Sequence, residues 1–384
     1  MTANDVSVAD FGARARDFFA EALTPAVRAE LVEGGSEYVE SFHRRVGSDG
    51  WIAMQWSEEY GGGGGTKSHG AALQEEAAFA GAPMLASNLG AIVGDALITH
   101  ASPELVKRFL PGIAAGETVM CLGYSEPEVG SDLASLQTKA VADGDDWIIS
   151  GSKMWTSLAH VADYMFCACR TDPAESRHKG ISLFMVPMED VGVEPVWTLG
   201  GFRTNVTFLD DVRVPGANLV GELNGAWKIL MSALDFERAG TCTARVGQTR
   251  RVLALMWRCL EEQGELNRAH EARQELAEIS AGVAATAELA YRVARMQTDD
   301  LACTAESSIA KIAGTELLAR ATDLAISLVG PTGLLARGAP GAFADGELES
   351  ELRNAVRFTV TAGTNEIQRN IMARHGLGLG RSSR

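Results

Sequence analysis

The sequence predicts a mostly helical α+β protein, and three features lead there. Apolar residues recur at helical spacing from Phe11 to about residue 118, the period shortens towards two between Val119 and Val220, and the helical period returns beyond Gly225. The expected order is helical, β, helical, with domains at 1–118, 119–220 and 221–384.

In the first region Phe11, Ala15, Phe18, Phe19 and Ala22 share one helical face. Leu31, Tyr38, Phe42 and Val46 continue the pattern with gaps, and Gly34-Gly35 interrupts it. Five glycines, Gly61 to Gly65, follow Tyr60; a flexible surface turn is favoured over a cradle for a ligand's phosphate. In the middle region a β-like run at 118–122 precedes short strands at 138–141, 147–150, 164–170, 181–186, 192–197 and 206–209, separated by Gly, Asp and Pro turns. The last region carries apolar rows on helices: Trp227, Leu230, Met231, Leu234; then Leu276, Ile279, Val283, Ala287, Ala290; then Ile309, Ile312, Leu317, Leu324, Leu328. The Ala-rich stretch at 279–290 suits close helix packing, within a bundle or between subunits.

A chain of 384 residues, 46% hydrophobic, can bury a substantial core. Its formal charge of −16 disfavours nucleic acid and anionic membranes as partners. No apolar run approaches the roughly 20 residues that span a bilayer, and the first ten residues carry neither a basic nor an apolar signal segment, so no membrane insertion and a cytoplasmic location are expected. Six cysteines without paired spacing argue against a disulfide framework or a structural zinc, and Cys167 and Cys169 read as small buried side chains of a strand. The seven histidines show no H-x₃-H or H-E-x-x-H spacing, so no metal is expected.

Two segments carry the chemistry. Tyr124-Ser125-Glu126-Pro127-Glu128-Val129-Gly130-Ser131-Asp132 leaves a β-like run, turns at Pro127 and Gly130, and offers hydroxyls and turn amides that suit the pyrimidine side of an isoalloxazine. Some twenty residues later Gly151-Ser152-Lys153-Met154-Trp155-Thr156-Ser157 supplies a flat indole and a hydroxyl. Either alone is weak; their order and spacing together read as a flavin pocket.

With Trp56-Ser57-Glu58-Glu59-Tyr60-Gly61-Gly62, Leu199-Gly200-Gly201-Phe202-Arg203-Thr204-Asn205, Asp211-Val212-Arg213-Val214-Pro215, Leu234-Asp235-Phe236-Glu237-Arg238 and Ala362-Gly363-Thr364-Asn365-Glu366-Ile367-Gln368-Arg369-Asn370, the chain resembles the acyl-CoA dehydrogenase family over nearly its whole length. The resemblance implies an N-terminal helical domain, a β-barrel-like middle domain and a C-terminal four-helix bundle. It implies FAD and α,β-dehydrogenation of an acyl-CoA (or acyl-carrier) thioester, in which a carboxylate takes the α-proton and hydride passes to the flavin. It also implies an electron-transfer flavoprotein-like acceptor and a tetramer, homomeric or heteromeric with a related subunit.

Two positions supply the base in different branches of the family. The commoner one is Ala362 here, and a methyl group abstracts no proton; the other holds Glu237, resembling the isovaleryl-CoA branch and bacterial sterol side-chain relatives. The row Trp227, Leu230, Met231, Leu234 places 237 one step further along the same face, although a structural salt bridge is the alternative role. Resemblance assigns Leu122, Tyr124, Ser125, Gly130, Ser131, Trp155, Thr156, Ser157, Thr364 and Glu366 to the cofactor and Ser131 also to the substrate, while Arg238, about 100° around the helix from Glu237, is expected in a structural role or on the CoA side of the substrate. Thr364 has a second reading as a helix cap.

One departure stands out. Where many members carry Arg-x-x-Phe-Gly to hold the FAD adenine half, this chain reads Leu260-Glu261-Glu262-Gln263-Gly264-Glu265-Leu266-Asn267-Arg268, and Pro331 removes a backbone donor from the following loop. The pattern therefore also admits a flavin-impaired, non-catalytic subunit, or a flavin oxidase or monooxygenase on the same fold.

Overall fold

Hydroxyl caps start most of the N-terminal helices. Ser7, Thr24, Thr66 and Ser102 accept backbone amides at the heads of α1 (Val8–Ala22), α2 (Pro25–Gly34), α4 (Lys67–Ala80) and α6 (Pro103–Ala114); α3 (Glu40–Ser48) and α5 (Leu85–His100) lack a side-chain cap. The structure is a computed structural model that describes residues 6–380 except 36 and 176, and the side chains of 234–239 lie outside the described ones. The face predicted for α1 is buried in full: Phe11, Ala15, Phe18, Phe19 and Ala22 meet Phe42, Val46 and Trp56 in one core. The break at Gly34-Gly35 is real, since Gly35 closes α2 with φ 59°.

The glycine run is neither a cradle nor a loose turn. The amides of Gly62, Gly63, Gly64 and Gly65 donate to the carbonyls of Ser57, Ala53, Trp56 and Met54. A Cβ on Gly62 would stand 2.1 Å from the Trp56 carbonyl oxygen. The glycines let this turn lie flat on Trp56, and its donors are engaged within the protein.

The β domain contains β1 (Met120–Gly123), β2 (Lys139–Asp143), β3 (Asp146–Met154), β4 (Tyr164–Arg170), β5 (Ile181–Pro187), β6 (Gly192–Trp197), β7 (Arg203–Pro215) and β8 (Leu219–Val220). The sheet order is β6-β7-β3-β2-β4-β5-β8, with β1 parallel to β4. β4 and β5 are buried on both faces. Phe166, Ala168, Leu183 and Met185 join the helical core, whereas Met165, Cys167, Cys169, Phe184 and Val186 form the β core. Cys167 and Cys169 are thus packing residues of a strand. β7 is far longer than the 206–209 expected, and the reason is a register shift in β3 between Ile149 and Gly151 with Asp211 opposite at φ 53°. The shift switches which alternate residues are buried, so the period of two breaks in mid-strand.

Beyond it come α7 (Ala226–Gln263), α8 (Leu266–Glu271), α9 (Arg273–Thr298), α10 (Thr304–Val329), α11 (Glu347–Val360) and α12 (Asn365–Ile371). α10 packs against α7, α9 and α11, and α7 also lies along α4, joining the two helical regions. The result is a helical, middle β, helical architecture. Among the described residues no helix is long and apolar enough to cross a membrane.

Candidate active site

A cavity of about 2320 Å³ opens between the β domain, α4, α5, α7 and α11. That exceeds the several hundred Å³ of an ordinary small-molecule site and leaves room for two large ligands.

One wall comes from the two segments singled out in the sequence. Leu122, Tyr124, Ser125, Gly130 and Ser131 line it after β1, and Met154, Trp155 and Ser157 line it at the end of β3. The segments are tied together: the Met154 amide donates to the Ser125 carbonyl at 2.9 Å. Beneath them Lys153 is fully buried and donates to Glu126 at 2.9 Å and to the Tyr124 carbonyl at 3.3 Å. Glu126 also accepts the amides of Gln137 and Thr138 at 2.7 and 2.9 Å. Burial alone would raise the Glu126 carboxyl, but the Lys153 charge and the hydrogen bonds from Lys153 and Thr138 outweigh it and hold the group below the usual carboxylate range. This ion pair was present in both quoted segments, yet nothing in their spacing says that the two side chains meet.

Trp155 has φ 62° and is 54% exposed although it lines the cavity. A bulky residue in the left-handed region is strained, and here it presents an indole to the open space. Ser157 Oγ stands 3.5 Å from Thr204 Oγ1, both on the wall. A flat, partly apolar ring with a polar edge fits this combination of indole, Leu122 and Met154 with the hydroxyls of Ser125, Ser131, Ser157 and Thr204.

Two expected contacts are not in the wall. Thr156 is fully buried; its amide donates to the Asn205 carbonyl at 3.0 Å and its carbonyl accepts from Asn205 Nδ2 at 2.9 Å. It supports the wall from behind. Glu366 is exposed on the first turn of α12, whereas Thr364 lines the cavity. Thr364 also caps α12, accepting the Ile367 amide at 3.2 Å.

The opposite wall is α7. Trp227, Met231, Thr241, Ala244, Arg245, Gln248 and Arg251 line the cavity from one face of the helix. Glu237 and Arg238 lie within α7, and their side chains are outside the described residues. Ala362 and Gly363 close the cavity from the turn after α11, with Ala362 at φ 55°. The acidic stretch 261–267 is exposed at the far end of α7, where Gln263 donates to Thr332 at 2.9 Å. Arg245, which the sequence pattern did not mark, is the unexpected member of the α7 row.

Three family models cover almost the whole chain: Acyl-CoA dehydrogenase, N-terminal domain, over residues 9–117; middle domain over 121–212; C-terminal domain over 224–377. The chain is 37% identical to acyl-CoA dehydrogenase FadE26 of Mycobacterium tuberculosis over 394 residues, 96% of each protein. Among solved structures it is similar to the Tcur3481-Tcur3483 steroid ACAD, with TM-score 0.89, 33% identity and 98% of both chains covered. It is similar also to the ChsE4-ChsE5 complex from Mycobacterium tuberculosis, with TM-score 0.87, 34% identity and 98% coverage of each chain.

Proposed function

This chain belongs to the acyl-CoA dehydrogenase family, and on that premise we propose that Glu237 is the base that takes the α-proton of its acyl-CoA thioester. The enzyme is an FAD-dependent acyl-CoA dehydrogenase. The observation that supports Glu237 is the row on α7: position 237 stands four residues before Thr241 and seven before Ala244, both of which line the cavity. At the family's other base position Ala362 offers a methyl group to the same cavity. Glu351 on α11 is another carboxylate on the cavity, but it sits 3.9 Å from Arg251 of α7.

FAD, when bound, accepts the β-hydrogen as hydride. The chain's own residues do the rest: Trp155 and Leu122 offer the ring an apolar surface, while Ser125, Ser131 and Ser157 offer its polar edge hydrogen bonds. A carboxylate acting in this role needs a site from which bound substrate excludes water, since desolvation raises its proton affinity towards that of a working base. Thr364, at the head of α12, is proposed for the phosphate side of the cofactor.

We extend the proposal to domain limits near 118 and 220, a cytoplasmic enzyme, an electron-transfer flavoprotein-like acceptor, and assembly with a related subunit, as similarity to the two-component Tcur3481-Tcur3483 and ChsE4-ChsE5 proteins favours. A ring-bearing acyl group is favoured by the similarity to the Tcur3481-Tcur3483 steroid ACAD. A flavin-impaired subunit is not favoured, because the wall suited to the ring is intact.

The test is anaerobic reduction. The purified complex is expected to show flavin absorbance that bleaches on adding a saturated acyl-CoA; Glu237→Gln keeps the absorbance and loses the bleaching, while Glu351→Gln retains it. Rapid bleaching in Glu237→Gln sinks the assignment.

A further inference from the structure

We infer that the deep end of the cavity recognises a hydrogen-bond-accepting oxygen, a carboxylate or a ketone, on the acyl group far from the thioester, and that Arg245 is its donor. This rests on the acyl-CoA reading above and specifies the substrate class. Arg245 is nine-tenths buried yet lines the cavity. Its Nε and Nη1 have no hydrogen-bond partner among the described residues. Its guanidinium lies 3.4 Å from the centre of the Phe358 ring, which occupies a face but accepts no in-plane hydrogen bond.

The neighbouring arginines differ. Arg251 pairs with Glu347 at 2.8 Å, and Arg357 with Glu37 at 2.7 Å. Glu351 is nearer to Arg251 and also leaves Oε2 without a partner. Three arginines thus face three glutamates, so charge balance alone does not demand an anion. The donors of Arg245 do demand an acceptor, because a buried donor left unmade is costly. Burial, then the Arg357 charge, lowers the Arg245 guanidinium to about 9, so it is charged at neutral pH.

Location gives the reach. Arg245 is eight residues along α7 from Glu237, roughly 12 Å at 1.5 Å per residue. An acyl group whose α-carbon lies by position 237 and which extends along the α7 wall brings its far end, not its thioester, to Arg245. The flanking Gln248 Oε1 and Asn354 Oδ1 also lack partners among the described residues, but as acceptors they would take a hydroxyl or water and not the oxygen that Arg245 binds. An all-hydrocarbon tail would cover the Arg245 donors without supplying an acceptor.

The experiment uses the assembled holoenzyme and a matched series: 4-cyclohexylbutanoyl-CoA, its 4-oxocyclohexyl analogue and its 4-carboxycyclohexyl analogue. Rates of flavin reduction are measured, with isothermal titration of the corresponding 2,3-enoyl products as a readout independent of turnover. We expect at least one oxygenated thioester to exceed the hydrocarbon by ten-fold or more in kcat/KM. Arg245→Met is expected to reverse that preference, and Arg245→Lys to restore part of it. A larger gain for the carboxylate identifies an acid terminus, and a larger gain for the ketone identifies a neutral one. If the hydrocarbon is equal or better in the unmodified enzyme, the inference falls, and Arg245 belongs to a structural cluster with Glu351. If none of the three reduces the flavin but octanoyl-CoA does, the inference also falls while the dehydrogenase reading stands. If no acyl-CoA reduces the flavin, the dehydrogenase reading itself fails.

Discussion

The β wall of the cavity and its α7 wall treat buried charge differently. Beneath the β wall, Lys153 is fully buried with its carboxylate 2.9 Å away, and that carboxylate also accepts two backbone amides. On the α7 wall Arg245 is nearly as buried, and two of its nitrogens have no partner among the described residues. A satisfied buried ion pair fixes geometry, because moving either partner exposes the other to a low-dielectric interior. An unsatisfied one is suited to a ligand that supplies the missing acceptor. The β wall is therefore suited to a scaffold for the cofactor, and α7 is the wall to which we assign, as proposals, the base and the selectivity.

Substitutions can break or sharpen this contrast. The largest effect is expected for Glu237→Gln: flavin reduction by acyl-CoA falls on the order of 10³-fold or more while flavin absorbance is retained, as measured by stopped-flow. Lys153→Met should do the reverse. It leaves Glu126 buried without its cation, costs about 3–5 kcal/mol of stability, and lowers flavin occupancy together with the midpoint of thermal unfolding. The double variant Lys153→Met, Glu126→Gln should recover part of that loss. If Lys153→Met unfolds at the temperature of the unmodified protein, the ion pair is not the scaffold described.

The same pair sets an acid limit. The folded-state Glu126 carboxyl lies below its unfolded value, so its contribution is complete above the unfolded pKa of about 4.3 and is lost as pH falls through the depressed folded value. Denaturant titrations between pH 3 and 6 should show this decline in the unmodified protein and a flatter one in the double variant. Trp155→Ala should weaken flavin binding by about 1 kcal/mol, near the range for an aromatic contact, with little change in unfolding. Thr364→Ala should cost about 1 kcal/mol through loss of the α12 cap alone; a much larger loss of flavin affinity would show that the hydroxyl also serves the cofactor.

Much of the fold was legible because burial follows the backbone period. The face Phe11, Ala15, Phe18, Phe19, Ala22 is buried as spaced, and the strand expected at 164–170 coincides with β4. β7 was foreseen only at its centre, since a register shift against β3 interrupts the alternation by which a strand is read. The glycine run was misread because its amides are occupied by carbonyls of the preceding turn, a fact of three-dimensional packing. Resemblance assigned Thr156 and Glu366 to the cofactor without showing where their side chains point, and the turns on which they sit direct one into the interior and the other to solvent.

By itself the sequence determined the order of helical, β and helical regions, the two segments that line the cavity, and the presence of Ala362 at the family's commoner base position with a carboxylate, proposed as the base, at position 237. These are properties of local period and of residue identity, and they survive without coordinates. Only the tertiary structure decided that Glu126 and Lys153 meet, that Trp155 faces open space while Thr156 does not, and that Arg245 stands in the cavity wall with two nitrogens that find no acceptor among the described residues. Those facts depend on which atoms from distant elements lie within hydrogen-bond reach, and a linear pattern carries no record of that distance.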